Sequence, residues 1–231
     1  MYLRKTVETP WCIFRYLYRS SRYGKKSKRG GRVAATSEQQ KSINKRIASQ
    51  KRLWLICQYF SRDDYFLTFT YRRSERPDNI DDAMKLMSKA LQKLARVLKK
   101  KNIKLSYFHV CERGERGGVH HHVLIKNRFP IGMLFDADIW EHGKIVFEEV
   151  YSKGVVKLAE YFVKGDSEVS EKKYSQSRDL VTPKPKVEVI KSDGWLDVPR
   201  GKKGYDLVNL VDGRTEYGGD IYQGYMLVRR E

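Results

Sequence analysis

Glu112-Arg-Gly-Glu-Arg-Gly-Gly-Val-His120-His-His122-Val123 is the stretch on which the reading of this chain turns. Strand-like runs at 105–112 and 119–126 flank the turn Arg113-Gly-Glu-Arg-Gly-Gly118, a pattern that predicts a β-hairpin. On a strand, alternate side chains share a face, so His120 and His122 point together and His121 points away. Two imidazoles roughly 7 Å apart along one face can chelate a divalent ion if a third donor comes from a neighbouring strand. Glu112, across the hairpin, is that candidate; Glu115 in the turn is a weaker one. Cys111 falls on the opposite face with His109, which disfavours a thiolate site. Two nitrogens and one carboxylate oxygen leave positions open for substrate and suit Mg²⁺, Mn²⁺ or Zn²⁺. The plainer alternative is a pair of histidines decorating a half-exposed strand.

Upstream, Tyr65-Phe-Leu-Thr-Phe-Thr-Tyr71 alternates as a strand with Thr68 and Thr70 on one face. A helix is expected from about Asp78, with Ile80, Met84, Met87, Leu91, Leu94 and Leu98 as its buried stripe. An earlier helix is expected after Ser37 as N-cap, with Ile43, Ile47, Leu53 and Ile56 inward. Downstream, residues 153–164 predict a short amphipathic helix whose apolar face holds Val155, Leu158, Ala159 and Phe162. Tyr161 falls off that face, within a turn of Lys157 and Lys164. Neighbouring cations favour phenolate, so a lowered pKa and a better nucleophile are expected at Tyr161. An amphipathic boundary tyrosine with no catalytic role is the competing account.

The chain has 231 residues, with 47 Lys and Arg against 28 Asp and Glu, a formal charge of +19. Residues 1–60 hold 15 of the cations and only 2 Glu, hence +13 of that excess. Arg19–Arg32 is the densest run and reads as a basic arm, either solvated or gripping nucleic acid. Such charge on a chain that is 40% hydrophobic implies a folded protein with polyanionic partners. Apolar runs are too short for a spanning helix, and a secretory signal is not expected because Arg4, Lys5 and Glu8 interrupt the start. Three widely spaced cysteines make neither a disulfide scaffold nor a zinc knuckle. A soluble intracellular protein is expected. The expected organisation is a basic N-terminal arm at 1–36, a domain at 37–186, and a β-rich C-terminal extension at 187–231. The expected fold class is α+β, with a central antiparallel β-sheet flanked by helices.

Taken in order, these motifs resemble the HUH endonuclease superfamily, and within it the single-tyrosine rolling-circle replication initiators of plasmids, phages and small circular single-stranded DNA viruses. Phe66–Tyr71 is similar to the family's first strand motif, and Glu112 with His120-His121-His122 resembles its metal motif. The middle position of that triplet is usually apolar in the family and is His121 here. Tyr161-Phe-Val-Lys164 resembles the Tyr-x-x-Lys motif, and Tyr174–Leu180 with Pro183 resembles the segment after it. The likeness covers about residues 37–185. Position 165 is Gly, so only one tyrosine lies on the catalytic helix, and no Gly-x-x-x-x-Gly-Lys-Ser/Thr helicase stretch occurs in these residues.

The resemblance implies an RRM-like palm and metal-dependent, sequence-selective nicking of single-stranded DNA at a replication origin. It implies Mg²⁺ or Mn²⁺ on Glu112, His120 and His122, attack by Tyr161 to form a 5′-phosphotyrosine link, and Lys164 neutralising developing charge. Thr70, Arg72, Arg73, Lys126, Arg128 and Lys157 are the expected strand contacts. Partners would be origin DNA and a host helicase or polymerase, in the cytoplasm of a bacterial host. A non-catalytic single-strand binding protein remains an alternative, as does the same tyrosine chemistry in a transposase or relaxase. A membrane-surface role is disfavoured because the basic run has no apolar face.

Overall fold

The computed structural model describes residues 1–20, 23–24, 38–114, 117–148, 154–163, 171–192, 194–214 and 221–230. In chain order the elements are strands β1 (Tyr2–Glu8) and β2 (Cys12–Arg19), helix α1 (Glu38–Tyr59), strand β3 (Tyr65–Thr70), and helix α2 (Ile80–Lys99). There follow β4 (Tyr107–Arg113), β5 (Val119–Ile125), α3 (Gly132–Asp136), β6 (Ile145–Glu148), α4 (Gly154–Val163) and β7 (Glu171–Gln176). The last strands are β8 (Lys186–Ile190), β9 (Tyr205–Arg214) and β10 (Ile221–Arg229). The class is α+β as expected. In place of one central sheet, however, the described strands form two antiparallel five-stranded sheets.

The chain divides into two compact units, Tyr59–Val181 and a unit made of Met1–Gln58 with Thr182–Glu231. In Tyr59–Val181 the strand order is β6-β3-β5-β4-β7. Helix α2 begins at Asn79, whose side chain accepts from the Asp82 amide at 2.9 Å. Asp81 and Asp82 in its first turn and Arg96 and Lys99 in its last complement the helix dipole. Its stripe of Met87, Leu91, Leu94 and Leu98 packs with Leu67, Phe69, Val123 and Ile125 of the sheet, all buried. Full burial of each such side chain contributes about 1.5–3 kcal/mol. Helix α4 covers the opposite face, where the Phe162 ring meets Phe66 at 5.6 Å and Phe108 at 6.1 Å.

In the other unit the order is β8-β1-β2-β10-β9, so the N-terminal hairpin is inserted between strands from the C-terminal end. The expected arm at 1–36 is therefore corrected over residues 2–19. Leu3, Val7, Phe14 and Leu17 are buried, although Arg4, Lys5 and Arg15 between them mask the alternation in the sequence. Most of the dense basic run, and Ser37, lie outside the described residues. The strand-like tail is present as β8, β9 and β10, joined to this sheet rather than standing as an extension. Helix α1 also departs from expectation. Ile43 and Ile47 are exposed, and burial begins at Trp54, which rests against Phe14 and Tyr16 of β2. Helical spacing marks a stripe, but only an opposing sheet buries it. Among the described residues no helix is long and apolar enough to cross a membrane.

Candidate functional site

The hairpin of β4 and β5 places Glu112 directly opposite His120 and Val110 opposite His122. On the other side of β5, β3 sets Thr70 opposite His120 and Thr68 opposite His122. On the far side of β4, β7 sets Lys172 opposite Glu112. Residues opposite one another in an antiparallel ladder share a face, so four strands bring Thr68, Thr70, Glu112, His120, His122 and Lys172 to one surface. Gly117, at φ +71°, helps close the turn, and the Gly114 and Gly118 backbones bond across it at 2.8 Å. Glu115 lies outside the described residues.

His121 faces the other way and is fully buried. Its Nε2 lies 2.7 Å from the Tyr71 hydroxyl and its Nδ1 lies 2.9 Å from His109 Nε2. His109 in turn bonds Ser175 through Nδ1 at 2.9 Å. Burial holds His109 down to about 3 and His121 down to about 2, so both are neutral imidazoles.

His122 is held from behind. Thr68 Oγ1 donates its single proton to Glu148 Oε1 at 2.9 Å, so it accepts from His122 Nδ1–H at 3.0 Å. That tautomer leaves the lone pair on Nε2. Burial, followed by the charges of His120 and Lys172, lowers His122 to about 4 and keeps the ring neutral. A metal-binding imidazole needs a fixed ring, a hydrogen-bonded far nitrogen and a free lone pair, and His122 has all three. Glu112 pairs with Lys172 at 3.3 Å. His120 is exposed, with Nε2 only 3.2 Å from where a Cβ on Gly118 would lie. Among the described residues no three His, Cys, Asp or Glu side chains stand assembled around one point. The donor set on the shared face fits a divalent ion by its chemistry, but its side chains are not gathered.

Tyr161 comes from α4 on the covered side of the same face. Its ring is 45% exposed and meets His122 edge-on, 5.7 Å between centroids. The lowered pKa expected for it is corrected. Burial raises the phenol, and the carboxylates of Glu112 and Glu148 raise it further. Lys157 is exposed, and Lys164 lies outside the described residues. The cation that does reach the ring is Lys172, with Nζ 5.5 Å from its centroid.

The expected strand contacts divide. Arg72 and Arg73 are exposed beside the short 3-10 turn Arg73–Glu75. Thr70 Oγ1 donates to the Lys144 carbonyl at 3.4 Å, and Arg128 donates to Ser106 Oγ at 3.1 Å. Lys126 is committed to the fold, pairing with buried Asp64 at 2.7 Å and donating to the Tyr59 carbonyl at 2.9 Å. Three residues of the site were not read as site residues in the sequence: Thr68, Glu148 and Lys172. Thr68 had a signal, the alternation that puts it on the Thr70 face. Glu148 and Lys172 sit on β6 and β7, short strands whose polar residues hide them.

No curated protein and no solved structure matches the chain. Residues 64–166, a span that contains Glu112, His120, His122 and Tyr161, match a family model of replication-associated proteins, and that match supports a replication initiator acting on origin DNA.

Proposed function

We propose that the Tyr59–Val181 unit is a divalent-metal-dependent nickase and ligase of single-stranded DNA that initiates rolling-circle replication through Tyr161. The observation that supports this most is the contact of the Tyr161 ring with His122, on the face that also carries Glu112 and His120. Glu112, His120 and His122 would hold Mg²⁺ or Mn²⁺, which supplies Lewis-acid polarisation of the scissile phosphate and offsets the two carboxylates near the phenol. Tyr161 Oη gives up its proton and attacks phosphorus. The bond from phosphorus to the 3′ oxygen breaks, and that oxygen leaves as a 3′-hydroxyl after taking a proton. The 5′ end stays on the tyrosine as a phosphodiester, so attack by a 3′-hydroxyl rejoins DNA without another energy source. Thr68 and Glu148 keep His122 oriented and in one tautomer. Lys164, three residues beyond Tyr161, takes the role of neutralising charge on the phosphate oxygens.

The test is a labelled pool of single-stranded DNA containing the replicon's origin strand, incubated with Mn²⁺ and resolved on a denaturing protein gel. A label retained by the parent protein and lost with Tyr161→Phe or EDTA supports the reading. DNA binding with no adduct on the origin strand rejects it in favour of a non-cutting single-strand binder.

A further inference from the structure

Strand β7 carries a cation into the site that the motifs do not include. Lys172 lies beyond the family-matched span of 64–166, yet it is the ladder partner of Glu112. Its side chain is only 3% exposed, and its Nζ stands 3.3 Å from Glu112 Oε2. An ammonium removed this far from water requires an anion, and Glu112 supplies one. Glu112 is also the carboxylate of the proposed donor set. A divalent ion and the ammonium would draw on the same two oxygens, and the two cations repel one another at that range.

We propose that Lys172 is the resident counter-ion of Glu112 and competes with a divalent ion for that carboxylate, so that the DNA-free protein holds the metal weakly. This deepens the reading above and rests on it. When the metal takes Glu112, the displaced ammonium needs another anion. A DNA phosphate meets that need, so metal and DNA bind with positive coupling.

The experiment measures Mn²⁺ affinity without DNA, from the electron paramagnetic resonance signal of free Mn²⁺. Parent, Lys172→Met, Lys172→Gln and Lys172→Arg are compared, each with and without Glu112→Gln. The Gln variant keeps a hydrogen-bond donor for Glu112 if the Met variant fails to fold. The expected result is a Kd about 5- to 30-fold lower for the neutral variants, with Lys172→Arg close to the parent and the gain cancelled by Glu112→Gln. Adding Tyr161→Phe and a short origin strand should tighten Mn²⁺ in the parent more than in Lys172→Met. Unchanged or weaker Mn²⁺ binding in both neutral variants overturns the proposal. If that binding still depends on Glu112, the metal site survives and only the competition is wrong. Absence of any Glu112-dependent binding in every variant rejects the metal site and the competition together.

Discussion

Lowering the pH from 7.5 to 5.0 should strip several kcal/mol from the Tyr59–Val181 unit, because two histidines of its sheet are buried in the neutral form. His109 is 1% exposed and His121 is 0% exposed. Burial holds them at about 3 and about 2, whereas the unfolded chain protonates each near 6.5. The folded value lies below the unfolded one. The stability from burying these rings is therefore complete above pH 6.5 and is lost as pH falls from 6.5 toward 3 and 2. At pH 5.0 the deficit is about 1.5 pH units for each ring, or roughly 2 kcal/mol, and about 4 kcal/mol for both. A domain has only about 5–15 kcal/mol to lose. The assay is hydrogen–deuterium exchange of peptides from β4 and β5 in EDTA, with opening free energies corrected for the intrinsic exchange rate at each pH. The double variant His109→Gln, His121→Gln has nothing to titrate there, and its slope below pH 6.5 should be smaller by about 2.7 kcal/mol per pH unit. An opening free energy that is flat from pH 7.5 to 5.0, or equal slopes in parent and double variant, refutes the reasoning.

Thr68→Val removes the acceptor of His122 Nδ1–H and should weaken Mn²⁺ binding by about 10- to 100-fold while the unit stays folded, measured by Mn²⁺ titration and circular dichroism. Tyr71→Phe leaves His121 Nε2 without its 2.7 Å partner in a buried position and should cost about 1–3 kcal/mol in urea unfolding, with no change in the metal titration. Gly143→Ala places a methyl 2.0 Å from the Thr70 carbonyl oxygen, a backbone atom that cannot swing aside. It should lower stability by about 1–3 kcal/mol or more in thermal unfolding and loosen β6, and with it Glu148. Binding of origin strand by Tyr161→Phe should weaken steeply with salt, as the +19 charge requires, and a salt-independent affinity would contradict a phosphate-dominated interface.

Much of the site could be read locally. Alternation at 120–122 and the length of the Gly-rich turn put His120 and His122 on one face with Glu112 opposite, and sent His121 to the other. Helical spacing likewise set Tyr161 off the face that buries Val155, Leu158, Ala159 and Phe162. The environment of Tyr161 was not legible. Nearby lysines in the chain suggested a stabilised phenolate, whereas carboxylates from β4 and β6 surround it in space and raise its pKa. Lys126 was misread for a similar reason, since its partner Asp64 lies 62 residues away.

By itself, the sequence determined the elements whose patterns depend on neighbours two to four positions apart: α2, the β4–β5 hairpin, β3 and α4, with the donor set and the tyrosine they carry. Only the tertiary structure decided that Tyr2–Glu8 and Cys12–Arg19 join a sheet with the C-terminal strands. It alone set β6 and β7 at the edges of the other sheet and brought Glu148 and Lys172 to the candidate site. The reason is physical. Periodicity is a property of the local backbone, whereas strand partners, desolvation and the pairing of charges depend on which distant segments exclude water from the same place.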